Sequence, residues 1–186
     1  LDLGRLTPQE RQEVYDRFAP EPRMQLYERG IRRRLPPMLG NDRRRIELAY
    51  SLMLSLPGTP VLRYGEEIGM GDDLSLPERE SVRTVMQWSC DGHGGFSTAP
   101  PERWARTVIA PGADTEYGYD RVNVEAQQRD PDSLLHWMTR MIHARKQCPE
   151  IGWGEWRILE AGDPAVFALR CDWRGGTVIT VHNLDD

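Results

Sequence analysis

The chain has 186 residues, of which 39% are hydrophobic and 28% charged, and a net charge of −5. That length suits one core-forming domain, or one domain and part of another, and the composition is that of an ordinary soluble globular protein. No apolar run approaches the roughly 20 residues of a membrane-spanning helix, and the acidic balance argues against a nucleic-acid partner.

Thr7-Pro8-Gln9-Glu10 sets a capping Thr before a Pro at the first helical position, with a Glu three residues after the cap. This is the pattern of a capping box, so a helix is predicted from there to about Phe18, with Pro20 and Pro22 ending it. From Arg23 to Gly40 the pattern is mixed, and Pro36-Pro37 are expected to stop any regular element. Ile46, Ala49, Tyr50, Met53 and Leu54 recur at helical spacing, which predicts an amphipathic helix beginning at Asn41 and ended by Pro57-Gly58. Leu48, Leu52 and Leu56 widen its apolar stripe, so burial on two sides is expected.

The run 59–65 is short, β-prone and bounded by turn residues. It is read as a strand following a helix, the repeating unit of parallel α/β architecture. The next stretch, Gly65-Glu66-Glu67-Ile68-Gly69-Met70-Gly71-Asp72-Asp73, is glycine-rich and acidic, and α/β barrels keep their chemistry in loops of this kind. Residues 74–130 hold no sustained period and are read as a long lid or binding loop. Asp130-Pro131 opens a second helix, with Leu134, Trp137, Met138, Met141, Ile142 and Arg145 along one face and Cys148-Pro149 at its end. After Pro149, segments 156–159, 166–170 and 177–181 alternate with Gly/Pro-rich turns, which predicts an antiparallel meander. The domain boundary is accordingly set between residues 150 and 151.

The acidic doublets Glu66-Glu67 and Asp72-Asp73 suggest glycoside chemistry, which takes two carboxyl groups about 5–5.5 Å apart for retention or about 6.5–9.5 Å for inversion. Neighbouring side chains diverge on extended backbone, so each doublet reads better as a loop cap, ion-pair partner or supporting group. No nucleophile elbow, phosphate loop or dinucleotide fingerprint is present. Cys90 with His93, and His136 with His143, lack the further ligands of a metal site. The runs Arg32-Arg33-Arg34 and Arg43-Arg44-Arg45 read as a solvated or salt-bridged surface. Cys90, Cys148 and Cys171 fit no disulfide framework and suit a cytoplasmic location. The opening Leu1-Asp2-Leu3-Gly4-Arg5 shows neither a starting Met nor a secretory signal, so the chain is expected to begin inside a longer protein. No cofactor and no metal is expected, and the sequence leaves the oligomeric state open.

The stretch 57–72, which ends Arg63-Tyr64-Gly65-Glu66-Glu67-Ile68-Gly69-Met70-Gly71-Asp72, is followed by Val82-Arg83-Thr84-Val85-Met86-Gln87-Trp88-Ser89. Together they resemble the last barrel strand and its loop in glycoside hydrolase family 13, the α-amylase family. Asp16-Arg17-Phe18-Ala19-Pro20 and Gly30-Ile31-Arg32-Arg33-Arg34-Leu35-Pro36-Pro37 are similar to its trehalose synthase branch. Val122-Asn123-Val124-Glu125-Ala126-Gln127 resembles the family's final barrel helix region, and Val181-His182-Asn183-Leu184 its C-terminal β-domain.

The resemblance implies an α/β fold: the C-terminal part of a (β/α)8 TIM barrel over residues 1–150, with an active-site loop over 65–130, then the truncated start of an antiparallel β-sandwich over 151–186. It implies a retaining mechanism whose Asp nucleophile, Glu acid/base and stabilising Asp all precede this chain, so no catalytic residue is expected here. Arg83 is the leading candidate for sugar binding, with a structural salt bridge as the alternative reading. Glu66, Glu67, Gln87 and Trp88 are implied at the pocket rim or in support of its loop. Val85, Arg63 and Glu66 stand where relatives commonly have Pro, Tyr and Asp. The implied reaction is isomerisation of maltose to trehalose by intramolecular glucosyl transfer. The alternatives are an oligosaccharide α-glucosidase or α-amylase-type hydrolase, or a non-catalytic remnant. The implied partner is a small α-glucoside, with no nucleic acid and no membrane.

Overall fold

The computed structural model describes residues 3–112 and 115–185. Its helices are α1 (Pro8–Phe18), α2 (Leu35–Met38), α3 (Arg43–Ser55), α4 (Val124–Arg129), α5 (Leu134–Gln147) and α6 (Pro149–Trp153). Its strands are β1 (Gln25–Leu26), β2 (Gly30–Ile31), β3 (Glu155–Leu159), β4 (Val166–Trp173) and β5 (Gly176–Asn183). The backbone divides into two compact units, one of Leu1–Asp42 with Arg63–Leu135, the other of Arg43–Leu62 with His136–Asp186.

In the first unit, α1 starts on the predicted capping box. Thr7 Oγ1 accepts the Glu10 N–H at 3.3 Å, and the Glu10 carboxylate accepts the Thr7 N–H at 2.8 Å. Tyr15 then joins Leu3, Ala19 and Met24 in a buried cluster against which Leu6, Val14, Ile31 and Leu74 pack. Pro36 and Pro37 do not stop regular structure: they begin α2, where helical N–H groups have no intrahelical partner and a missing donor costs nothing. The 74–130 stretch is built from 3₁₀ turns at Glu78–Val82, Gly92–Gly95 and Pro101–Arg103, and from α4. The run 59–65 forms no strand, because among the described residues the only ladders are β1-β2 and β3-β4-β5. A parallel strand takes its hydrogen bonds from neighbours, and β-propensity alone supplies none.

In the second unit, α3 buries Ile46, Tyr50 and Leu54, one residue per turn along a single face. Ser55 is buried as well, Leu48 and Leu52 are half-buried and Leu56, beyond the helix end, is 42% exposed, so the second side is covered only in part. Arg145 of α5 closes α3 by donating to the carbonyls of Leu54, Leu56 and Gly58, which have no partners within the helix. The second helix opens three residues later than Pro131, because a turn in which the Ser133 N–H reaches Asp130 O at 3.1 Å intervenes. The meander forms as predicted, with central β4 paired antiparallel to both neighbours, Leu169 opposite Ile158 and Thr180.

Candidate functional site

The glycine-rich stretch folds as a tight turn. Gly65 and Gly69 take φ of +84° and +73° and bracket a 3₁₀ turn at Glu66–Ile68. A Cβ on Gly65 would lie 2.3 Å from Met70 Sδ, so this position needs glycine for space as well as for conformation. The turn is helical rather than extended, yet the Glu doublet still splits, since successive residues of a 3₁₀ turn point about 120° apart. Glu66 turns inward to Arg34 at 3.4 Å, and Glu67 lines an open cleft.

Of the two readings of the Arg32-Arg33-Arg34 run, the salt-bridged one holds, with Arg33 on Asp72 and Arg34 on Glu66, and the guanidinium groups turn inward rather than into solvent. Arg32 donates to the carbonyls of Leu74 and Leu76 at 3.0 and 2.6 Å. Arg33 Nε pairs with Asp72 at 2.9 Å, and the Arg34 N–H reaches the same carboxylate oxygen at 3.0 Å. Arg34 is 2% exposed and donates to Tyr64 O at 3.0 Å. A tight loop turns its carbonyls away from any ladder, and guanidinium groups with five donors each satisfy them. The triplet therefore clasps residues 64–76 from within.

The cleft has a volume of about 580 Å³ and is lined by Arg63, Tyr64, Glu67, Arg83, Val85, Met86, Trp88, Phe96 and Arg106. Three aromatic side chains stand half out of its walls: Tyr64 at 43%, Trp88 at 49% and Phe96 at 50% exposure. Tyr64 is fixed by its hydroxyl, which donates to Thr84 O at 2.8 Å, and by the guanidinium carbons of Arg34 and Arg63, 5.5 and 5.6 Å from its ring centroid. Glu80 bridges the guanidinium groups of Arg83 and Arg106 at 3.4 and 3.3 Å. The segment 85–88 is braced on both sides, since the Val85 N–H bonds to Thr107 O at 3.0 Å and Gln87 O accepts from the Val124 N–H at 3.0 Å. Beneath it, Ile68, Met70 and Met86 form a buried cluster.

Of the residues expected at the pocket, Arg83, Glu67 and Trp88 are brought together on the cleft. Glu66 and Gln87 are not. Gln87 is fully buried, its Nε2 donating to the carbonyls of Tyr117 and Val122, and it holds the loop from below. Arg83 carries the salt bridge of its alternative reading as well as lining the cleft. Phe96 and Arg106 escaped the sequence reading, because neither sits at a spacing that marks it. His93 is no partner for Cys90: its ring is buried and stacked on Trp104, centroids 3.6 Å apart and planes 2° apart, whereas Cys90 is exposed. Among the described residues no three His, Cys, Asp or Glu side chains are grouped to hold a metal ion.

Residues 31–154 match the family described as alpha amylase, catalytic domain. The trehalose synthase of Pimelobacter sp. (strain R48) is 45% identical over 99% of this chain and 32% of its own length. The trehalose synthase/amylase TreS of Mycolicibacterium smegmatis is 48% identical over 90% of this chain and 28% of its own. The chain thus spans about a third of the length of these curated relatives. Among solved structures, an alpha-amylase from H. orenii superposes with a TM-score of 0.63 at 30% identity, over 82% of this chain and 28% of that one. The trehalulose synthase MutB of Pseudomonas mesoacidophila MX-45 gives a TM-score of 0.63 at 21% identity, over 83% and 34%, and shows the fold alone. The α/β barrel fold class expected from the sequence is therefore the right one, with this chain matching a small part of such enzymes.

Proposed function

The chain belongs to the alpha-amylase catalytic-domain family, and from that premise we propose that its cleft is one wall of the sugar pocket of an α-glucoside-processing enzyme of the trehalose synthase kind. The observation that carries this is the juxtaposition of Tyr64, Trp88 and Phe96 with Arg83 and Glu67 around one open cleft. A pyranose ring has flat C–H faces that stack on aromatic rings, and an equatorial rim of hydroxyls that pair with carboxylate and guanidinium groups. Residues 1–150 are assigned to the barrel and its active-site loop, and residues 151–186 to the start of a β-domain.

The parent reaction is isomerisation of maltose to trehalose through a covalent glucosyl intermediate, which a closed pocket shields from water. A retaining reaction takes two carboxyl groups on one bond, about 5–5.5 Å apart. Among the described residues Glu67 is the single carboxylate lining the cleft. We therefore assign the nucleophile and the acid/base to residues outside this sequence, and expect the chain alone to turn over no glucoside. Hydrolysis is the second reading, favoured by the 30% identity to the H. orenii alpha-amylase.

The test is product analysis on a protein extended to the length of its relatives and supplied with maltose. Trehalose supports the isomerase, glucose alone the hydrolase, and neither product refutes the proposal. Among the described residues no helix is long and apolar enough to cross a membrane. The three cysteines are free, which supports placing the parent enzyme in the cytoplasm.

A further inference from the structure

A second concave surface lies in the other unit. Glu150 and Trp153 of α6 line an open groove of about 780 Å³ with Trp173 at the end of β4, Arg174 of the β4–β5 turn and Gly176 at the start of β5. Trp153 is 74% exposed, far more than an indole in a finished core. Arg174 and Gly175 form a two-residue hairpin connection with φ of +50° and +83°. Such turns favour Asn, Asp or Gly at the first position, so arginine is held there under strain. The turn sets the guanidinium carbon 5.2 Å from the Trp173 ring centroid. On the facing helix, the Glu150 carboxylate lies where a Cβ on Gly176 would come within 2.4 Å of Oε1. Its oxygens accept no hydrogen bond among the described residues.

The groove thus presents two indole surfaces, one unengaged carboxylate and one guanidinium. Its two charges cancel, which selects against nucleic acids, anionic lipid surfaces and highly charged peptides. A neutral ligand with flat C–H faces and paired hydroxyls answers every feature: the faces stack on the indoles, one hydroxyl donates to Glu150 and its neighbour accepts from Arg174. We propose that this groove is a carbohydrate-binding site that takes a glucosyl unit of a neutral α-glucan, in addition to the cleft of the first unit. The choice of an α-linked glucan rests on the α-glucoside reading above.

The test is titration of the chain with maltoheptaose, followed by tryptophan fluorescence and by retardation in gels containing soluble amylose. Arg174→Gly removes the guanidinium while giving the φ of +50° to the residue that adopts it freely, so this variant melts no lower than the parent. Trp153→Ala removes the exposed indole. Each is expected to weaken amylose retardation about tenfold, a larger loss than Trp88→Ala, in the cleft, produces. Unchanged affinity in both Trp153→Ala and Arg174→Gly overturns the inference. If Trp88→Ala alone abolishes binding, the inference fails and the cleft reading stands. If the parent chain binds no maltoheptaose, the inference fails, while the product analysis still decides the parent reaction independently. Equal binding of a β-linked glucan, or self-association abolished by Trp153→Ala and indifferent to maltoheptaose, also overturns it.

Discussion

Asp72→Ala tests whether the inner clasp holds the cleft loop. The Asp72 side chain is 4% exposed and its Oδ2 takes two donors, Arg33 Nε at 2.9 Å and the Arg34 backbone N–H at 3.0 Å. Hydrogen bonds to a charged group contribute about 1.5–3 kcal/mol each, and removing one partner of a buried pair costs about 3–5 kcal/mol. The Arg33 side chain is 11% exposed, so it can recover part of its hydration when abandoned. The expected loss is therefore at the low end, about 3 kcal/mol, or roughly 150-fold in the unfolding constant. Asp72→Asn, which keeps the shape and one acceptor, should lose about half as much. Urea unfolding followed by fluorescence reads this directly, with a midpoint lower by about 1–2 M at an unchanged slope. A double-mutant cycle with Arg33→Met isolates the pair, because Arg33→Met should cost less in the Asp72→Ala background than in the parent. A loss below about 1 kcal/mol, or additivity within about 0.5 kcal/mol, would refute the clasp.

Tyr117 packs beside this carboxylate, and its phenol is pushed up to about 12, chiefly by burial and then by the nearby Glu116 and Asp72, with Arg33 opposing. A raised folded value gives stability that is full below about pH 10 and drains away as pH climbs towards 12. Tyr117→Phe should flatten that alkaline limb in pH-dependent melting. At the other extreme, hydrogen bonds from Arg170 and then Thr177 hold Asp172 down at about 2. Its contribution is full above about pH 4 and fades as pH falls towards 2, so Asp172→Asn should flatten the acid limb. Gly71→Ala should lower stability by about 1–3 kcal/mol, since the new methyl would sit 2.3 Å from Tyr117 Cγ, and a melting temperature equal to the parent's would contradict the packing. Within the cleft, Trp88→Ala should weaken maltose binding by about fivefold, read by calorimetry, with the melting temperature unchanged because the indole is half-exposed.

The parts of the site differ in how far they could be read in advance. Arg83, Glu67 and Trp88 were reachable because they belong to continuous stretches that resemble a family, and a motif carries its members with it. Gln87 belongs to the same stretch but faces the opposite way. Residues adjacent in sequence leave irregular backbone in different directions, and only the contacts with Tyr117 and Val122 show which side is inside.

Features closed by neighbouring residues were settled by the amino-acid order itself. The capping box at Thr7 needs only Glu10, the buried stripe of α3 needs only helical periodicity, and the meander needs only turn residues between β-prone runs. What the tertiary structure alone decided is wherever a group finds its partner far along the chain. Arg32, Arg33 and Arg34 are indistinguishable from a solvated basic run until carbonyls and a carboxylate 30 to 44 residues away meet them. The run 59–65 has the propensity of a strand and, among the described residues, no neighbour to pair with. A side chain's chemistry is written locally, but hydrogen bonds and burial belong to pairs, and the second member of each pair is supplied only by folding.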